Sequence, residues 1–202
     1  ITIGENIHTT RSLLRKGKRI DTVDDVDVIL YTAVDGSAQT LLIPDDVKAT
    51  QDYDEGRVKH VKVALSAAMF GSAEAAENGL AYIHAMAHHQ EQTGATFLDI
   101  NVDEFSLKTE EQKAAMTWLV GAVQNMSPLP ISVDSSDVDV IRAGLEACDS
   151  SKVRPMLNSA SLERLDALDL VREHNAEVVI TAAGESGMPS GTAERVTNAS
   201  RM

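Results

Sequence analysis

Aromatic residues make up only 3% of this 202-residue sequence, although 43% of it is hydrophobic. A core built from it must be aliphatic and alanine-rich, and the length suffices for one domain with a substantial interior. Cysteine is nearly missing. The one thiol, Cys148, excludes an internal disulfide and a thiolate zinc site, and its place on an apolar helical stripe reads as a small buried hydrophobe. Basic residues are few, 18 Lys and Arg against 31 Asp and Glu. The formal charge of −13 argues against nucleic-acid and membrane-surface partners, which are themselves polyanionic. No apolar run reaches membrane-spanning length and no signal-like segment is present, so a soluble, cytoplasmic protein is expected. Repeats and low-complexity tracts are absent, and residues 1–202 read as a single domain. Ile1 in first position points to a translational start upstream.

What the sequence does have is concentrated between Pro130 and Ser161. Ile131–Val133 and Val153–Leu157 are short apolar runs, the second interrupted by Pro155. Between them Val138, Ile141, Leu145 and Cys148 mark one face of a helix. Each run is followed by a polar residue, Asp134 or Asn158. At the carboxyl ends of parallel strands such residues face the ligand crevice. A carboxylate beside a carboxamide offers acceptors and donors in one plane, which suits the edge of a flat nitrogen heterocycle. The same two residues also fit turn or cap roles, and Ser135 or Ser136 is a further choice of cap.

The rest of the chain alternates strand and helix, the pattern of a parallel sheet with right-handed crossovers. Thr2–Ile7, Phe97–Val102 and Val178–Ala182 read as strands. Ser72–Gln92 reads as a helix with Ala76, Leu80, Ile83 and Ala87 inward and Gly94 as its stop. Thr109 and Gln112 form a capping box ahead of a helix that buries Met116, Leu119, Val120 and Val123. Ser161–His174 and Thr192–Met202 read as helices as well. Asn101, ending its strand, is a site candidate with Asp99 as its inner support, because an unpaired buried polar group costs roughly 1–3 kcal/mol. His84, His88 and His89 have neither an HExxH frame nor a third ligand nearby, so no metal is assigned. The loop GESGMPSG at Gly184–Gly191 is not a dinucleotide fingerprint.

Residues 9–72 stand apart from this alternation. Arg11, Arg15, Lys16, Lys18 and Arg19 read as a solvated basic face, followed by Asp21, Asp24, Asp25 and Asp27. Val28–Val34 and Gln39–Ile43 flank Asp35-Gly36, which predicts a β-hairpin at 28–43 as the one antiparallel element. Val58, Val61, Leu65 and Ala68 then predict a helix ending near Gly71.

Four collinear motifs carry a family resemblance: GENIH at Gly4–His8, LDINVD at Leu98–Asp103, an AAM-W-V helix at Ala114–Val120, and VDSSDVDVIRAGLEAC followed by PMLNSAS. Together they resemble the pterin-binding methyltetrahydrofolate methyltransferases. These include the enzyme that methylates the corrinoid iron–sulfur protein and the folate domain of cobalamin-dependent methionine synthase. The resemblance implies an α/β fold, a TIM-barrel (β/α)8 of the dihydropteroate synthase-like kind. A full barrel takes ~250 residues, so only about five parallel strands are expected here, with the insertion at about 9–72 after the first.

By the same resemblance the pterin is held by Asp134, Asn158 and Asn101, with Glu5 carried over from a first-strand motif in which Asn6 and His8 depart from the family. The implied reaction moves the N5-methyl group of methyltetrahydrofolate to cob(I)alamin. No DxHxxG motif is present, so the corrinoid is expected on a partner protein or domain. No catalytic residue is assigned, because the group contacting N5 is expected beyond the C-terminus. Dihydropteroate synthase shares the barrel, but its DxGGEST-type stretch is replaced by DINVDEF. A pterin-binding module without catalysis of its own stays open. The free edges of a five-stranded piece predict a homo-oligomer, with residues 178–202 or the insertion in the contact.

Overall fold

The computed structural model describes residues 1–149, 151–185 and 187–202. The chain opens with strand β1 (Ile3–His8) and then leaves the main sheet. It forms β2 (Leu13–Leu14), β3 (Ile20–Val23), β4 (Val26–Thr32) and β5 (Ala38–Leu42). Two single-turn helices follow, α1 (Asp45–Lys48) and α2 (Gln51–Asp54), then β6 (Arg57–Val58) and α3 (His60–Phe70). Helix α4 (Ala73–Gln92) returns the chain to β7 (Phe97–Asn101). Strict alternation follows: α5 (Thr109–Met126), β8 (Ile131–Asp134), α6 (Val138–Ala147), β9 (Met156–Ala160), α7 (Ala167–Glu173), β10 (Glu177–Ile180) and α8 (Thr192–Arg201).

Among the described residues the main sheet has five strands in the order β1-β7-β8-β9-β10, every pair parallel. This is the α/β architecture the alternation implies, and it is compatible with part of a (β/α)8 barrel. The helices cover one face. Helix α5 buries Ala115, Met116, Leu119, Val120 and Val123, and α6 buries Val140, Ile141, Ala143, Gly144 and Leu145. Gly144 lets α6 lie against β8, because a Cβ there would sit 2.5 Å from Val133 Cγ1 and 2.9 Å from Met116 Cγ. Each large aliphatic side chain sealed in this layer contributes about 1.5–3 kcal/mol relative to exposure. No helix among the described residues is long and apolar enough to cross a membrane.

Several local expectations are corrected by packing. Antiparallel structure is more extensive than a hairpin at 28–43: β3, β4 and β5 form a three-stranded meander, and β2 pairs with β6. The acidic run supplies the first turn, with Asp24 and Asp25 both in the left-handed region (φ 49° and 63°). The basic cluster is only partly a solvated face. Arg15 lies 4.7 Å from the Tyr53 ring centre, Arg19 donates to the Tyr82 hydroxyl, and Arg11 pairs with Glu5. Helix α4 buries Gly79, Tyr82, Ile83, Ala87 and Gln90, leaving Leu80 exposed. Gly79 sets this rotation, since a Cβ there would meet the Ala64 carbonyl oxygen at 2.4 Å.

No capping box forms at Thr109, because Gln112 donates to the Asp103 and Ser106 carbonyls and Thr109 to Asp137. Asp137, not Ser135 or Ser136, caps α6 by accepting from Asp139 N–H. On α6 itself, Val138 and Cys148 are only half-buried. Strand β9 begins three residues later than expected, so Asn158 sits within it. Residues 161–166 form turns, leaving only α7 of the helix expected from Ser161. In the loop GESGMPSG, Ser186 lies outside the described residues.

Candidate functional site

The parallel register lines up four polar residues in a single row across four strands. His8 pairs with Asn101, Asn101 with Asp134, and Asp134 with Asn158. Side-by-side residues of neighbouring strands project to the same face, and successive residues to opposite faces. Each member follows an aliphatic residue that is fully buried: Ile7, Ile100, Val133 and Leu157. Those four also pair with one another in register, and they lie on the opposite face of the sheet, away from the row. The aliphatic–polar dipeptide repeated at four strands therefore builds a hydrophobic seam on one face and a hydrogen-bonding strip on the other. One step back along the strands, Asp99 and Ser132 pair on the strip's own face.

The strip is tightly connected. The Asp99 carboxylate, fully buried, contacts His8 Nε2 at 2.8 Å through one oxygen and accepts from Asn158 Nδ2 at 3.3 Å through the other. Asn101 Nδ2 donates to Asp134 Oδ2 at 2.9 Å, and its Oδ1 accepts from Asp103 N–H. Asp103 clamps the next loop by accepting from Ser135 Oγ and Ser136 N–H, and Arg164 donates to the Ser135 carbonyl and to Ser159 Oγ. Burial pushes the Asp134 carboxyl up to about 6; the charges of Asp99 and Asp103 act the same way, against the Asn101 hydrogen bond and His8. Ser132 Oγ is buried without a hydrogen-bond partner among the described residues.

Donor atoms of His8, Asp99 and Asp134 lie within 4.8 Å of one another. The His8–Asp99 hydrogen bond joins two of the three, and Asp134 is bonded to Asn101, so we read the trio as part of the hydrogen-bonded strip. A larger cleft of about 590 Å³ opens between β5 and the α3–α4 pair, lined by Leu41, Leu42, Pro44, Val63 and Phe70 among others. Its ionisable lining is limited to Asp46 and Glu74, with no convergent polar cluster. The hydrogen-bonded polar side chains converge at the strip instead.

A half-buried carboxylate beside two carboxamides, at the carboxyl ends of parallel strands, matches what a planar heterocycle needs. The family described as "Pterin binding enzyme" matches residues 53–201. This chain belongs to the pterin binding enzyme family. The match takes in β7, β8 and β9, hence Asn101, Asp134 and Asn158, and begins after β1.

Of the residues singled out from the pterin-binding resemblance, the structure gathers Asn101, Asp134 and Asn158. Glu5 stands apart from them, exposed and ion-paired with Arg11 at 2.8 Å. Asp99 does not support Asn101; it holds His8 and Asn158. His8, Ser132 and Arg164 were not anticipated. A signal for His8 existed, since Ile7-His8 repeats the aliphatic–polar step of Ile100-Asn101, Val133-Asp134 and Leu157-Asn158.

Proposed function

We propose that the strip binds the pterin ring of methyltetrahydrofolate and that the chain serves transfer of its N5-methyl group to cob(I)alamin carried by a partner protein or domain. The observation that supports this most is the row His8–Asn101–Asp134–Asn158, which presents acceptor and donor groups in one line on the face opposite the aliphatic seam. Asp134 as a carboxylate accepts two N–H groups from the amino-pyrimidine edge, while Asn101 and Asn158 supply the amide donors and acceptors beside it. A tertiary amine leaves poorly, so a site that protonates or strongly hydrogen-bonds N5 in the transition state accelerates the transfer. Methyl transfer, in preference to the synthase chemistry found elsewhere among pterin enzymes, is supported by the LDINVD and VDSSDVDVIRAGLEAC wording.

Titration calorimetry with methyltetrahydrofolate, followed by an assay of methyl transfer to free cob(I)alamin, tests this. Binding with transfer is expected. Binding without transfer would assign the chain as a pterin-binding module only, and no binding would overturn the proposal. Light scattering tests the accompanying expectation of a homo-oligomer, which a folded monomer at micromolar concentration would contradict.

A further inference from the structure

The strip carries a charge problem that the pterin reading alone leaves unsolved. Asp99 is fully buried and Asp134 is half-buried beside it, yet neither is bonded to a lysine or arginine among the described residues. On the β1 side, Arg11 is engaged with Glu5. From the loop after β9, Arg164 is engaged with Ser135 and Ser159. From the loop after β7, Asp103 adds a further negative charge towards Asp134. From helix α4 the neutral Gln90 accepts from Asn6 N–H, and His60 of α3 is hydrogen-bonded to Tyr82. Two closely spaced carboxylates without a counter-charge favour a proton on a group in contact with them once a ligand covers the strip and shuts out water. The group in contact is His8, held through Nε2 by Asp99, with no protein partner at Nδ1 among the described residues.

We propose that His8 is the proton donor of this site: Asp99 holds the ring in place, and His8 delivers the proton that N5 takes up when the methyl group leaves. This rests on the methyl-transfer reading. In that step the N5–methyl carbon bond breaks and its electron pair stays on nitrogen, which receives the proton from His8. The partner's cobalt(I) supplies the electron pair of the new cobalt–carbon bond. His8 is left neutral, still bound to Asp99, and regains its proton from solvent. His8 shares the row with Asn101 and Asp134, so it faces the same ligand they do.

Calorimetry in buffers of different ionisation enthalpy counts the protons taken up when the 202-residue chain binds methyltetrahydrofolate. Near pH 7.5 the wild type is expected to take up a substantial fraction of one proton, and His8→Asn less than about half as much, as linkage requires if the imidazole is the acceptor from solvent. Single-turnover transfer to free cob(I)alamin should also lose its pH dependence in this range in His8→Asn. Undiminished uptake and an unchanged pH profile in that variant would overturn the proposal while leaving the pterin reading intact. Uptake that survives His8→Asn but vanishes in Asp134→Asn would assign the proton to Asp134 and overturn it equally. No ring binding by the wild type would remove the reading on which it rests. Should His8→Asn fail to fold, nitrogen NMR of the wild-type imidazole decides: a ring whose protonation is the same with and without ligand between pH 6 and 8.5 contradicts the role.

Discussion

Where the insertion packs on α4, His60, Tyr82 and Arg19 form a hydrogen-bonded chain: the Tyr82 hydroxyl lies 2.8 Å from His60 Nδ1 and accepts from Arg19 at 2.6 Å. Nearby, Asp27 accepts from the Tyr53 hydroxyl, and Arg15 covers that ring. On the strip, by contrast, Asp99 and Asp134 have amides and one imidazole for company and, among the described residues, no bonded arginine or lysine. Both regions bury polar side chains. Only the first group, His60–Tyr82–Arg19 and Asp27–Tyr53–Arg15, gives its side chains protein partners together with an arginine, which is what a polar cluster selected for stability requires. The strip's carboxylates lack a bonded cation among the described residues, and this separates the two regions more sharply than depth of burial does.

The largest effect that separates them is one of pH. Burial takes the His60 imidazole down to about 4 from its ordinary value near 6.5. The unfolded chain therefore binds the extra proton first on acidification, and the stability from neutral His60 is lost as the pH falls from about 6.5 through 4. This amounts to at most about 3 kcal/mol. Urea unfolding at pH 7 and pH 4.5 should show that loss in the wild type and a shallower one in His60→Gln.

The next contrast exchanges binding for stability. Asp134→Ala removes a charge-assisted contact to the ligand and should weaken methyltetrahydrofolate binding by about one to two orders of magnitude, with no loss of stability above pH 6. Tyr82→Phe should do the reverse. It strands His60 Nδ1 and the Arg19 donor, costing about 1–3 kcal/mol in denaturant unfolding, with pterin affinity within twofold of wild type. If Tyr82→Phe weakened the ligand as much as Asp134→Ala, the distinction between the regions would fail.

A smaller effect runs opposite in sign to that of His60. The Asp134 carboxyl is raised to about 6 in the fold, so native protein holds this proton longer than the unfolded chain, and stability falls as pH rises from about 4 through 6. Asp134→Asn should remove that fall. A gain of about 1 kcal/mol at pH 7.5, discounted for the solvent that reaches a half-buried group, and none at pH 4, is expected in parallel melts. The smallest effect belongs to Glu5→Gln, whose exposed partnership with Arg11 is worth at most about 0.5 kcal/mol. Pterin affinity should change less than twofold.

Asn101, Asp134 and Asn158 were legible because each follows an apolar β-prone residue and thus announces a strand's inner face. His8 was not, because its importance comes from register with Asn101, a pairing 93 residues distant that no local pattern encodes. The frame of β9 was misjudged for a related reason. Asn158 and Ser159 read as a loop, whereas in the parallel sheet they are strand residues, with Asn158 in register with Asp134. Leu80 was placed inward by helical periodicity, but the close α3–α4 crossing at Gly79 turns that helix to bury Tyr82 and Gln90. The edge strand Ile20–Val23 was hidden by its acidic neighbours, whose charges suit an exposed edge and a tight turn.

The most direct measurement is where the ring lands. In a complex with methyltetrahydrofolate, solved by crystallography or mapped by intermolecular NMR contacts, the pterin edge should lie within hydrogen-bonding distance of Asp134 and Asn158, with His8 facing the N5 side. A ring seated in the Leu41–Phe70 cleft, or a complex in which the strip keeps its unliganded hydrogen bonds unchanged, would contradict the account.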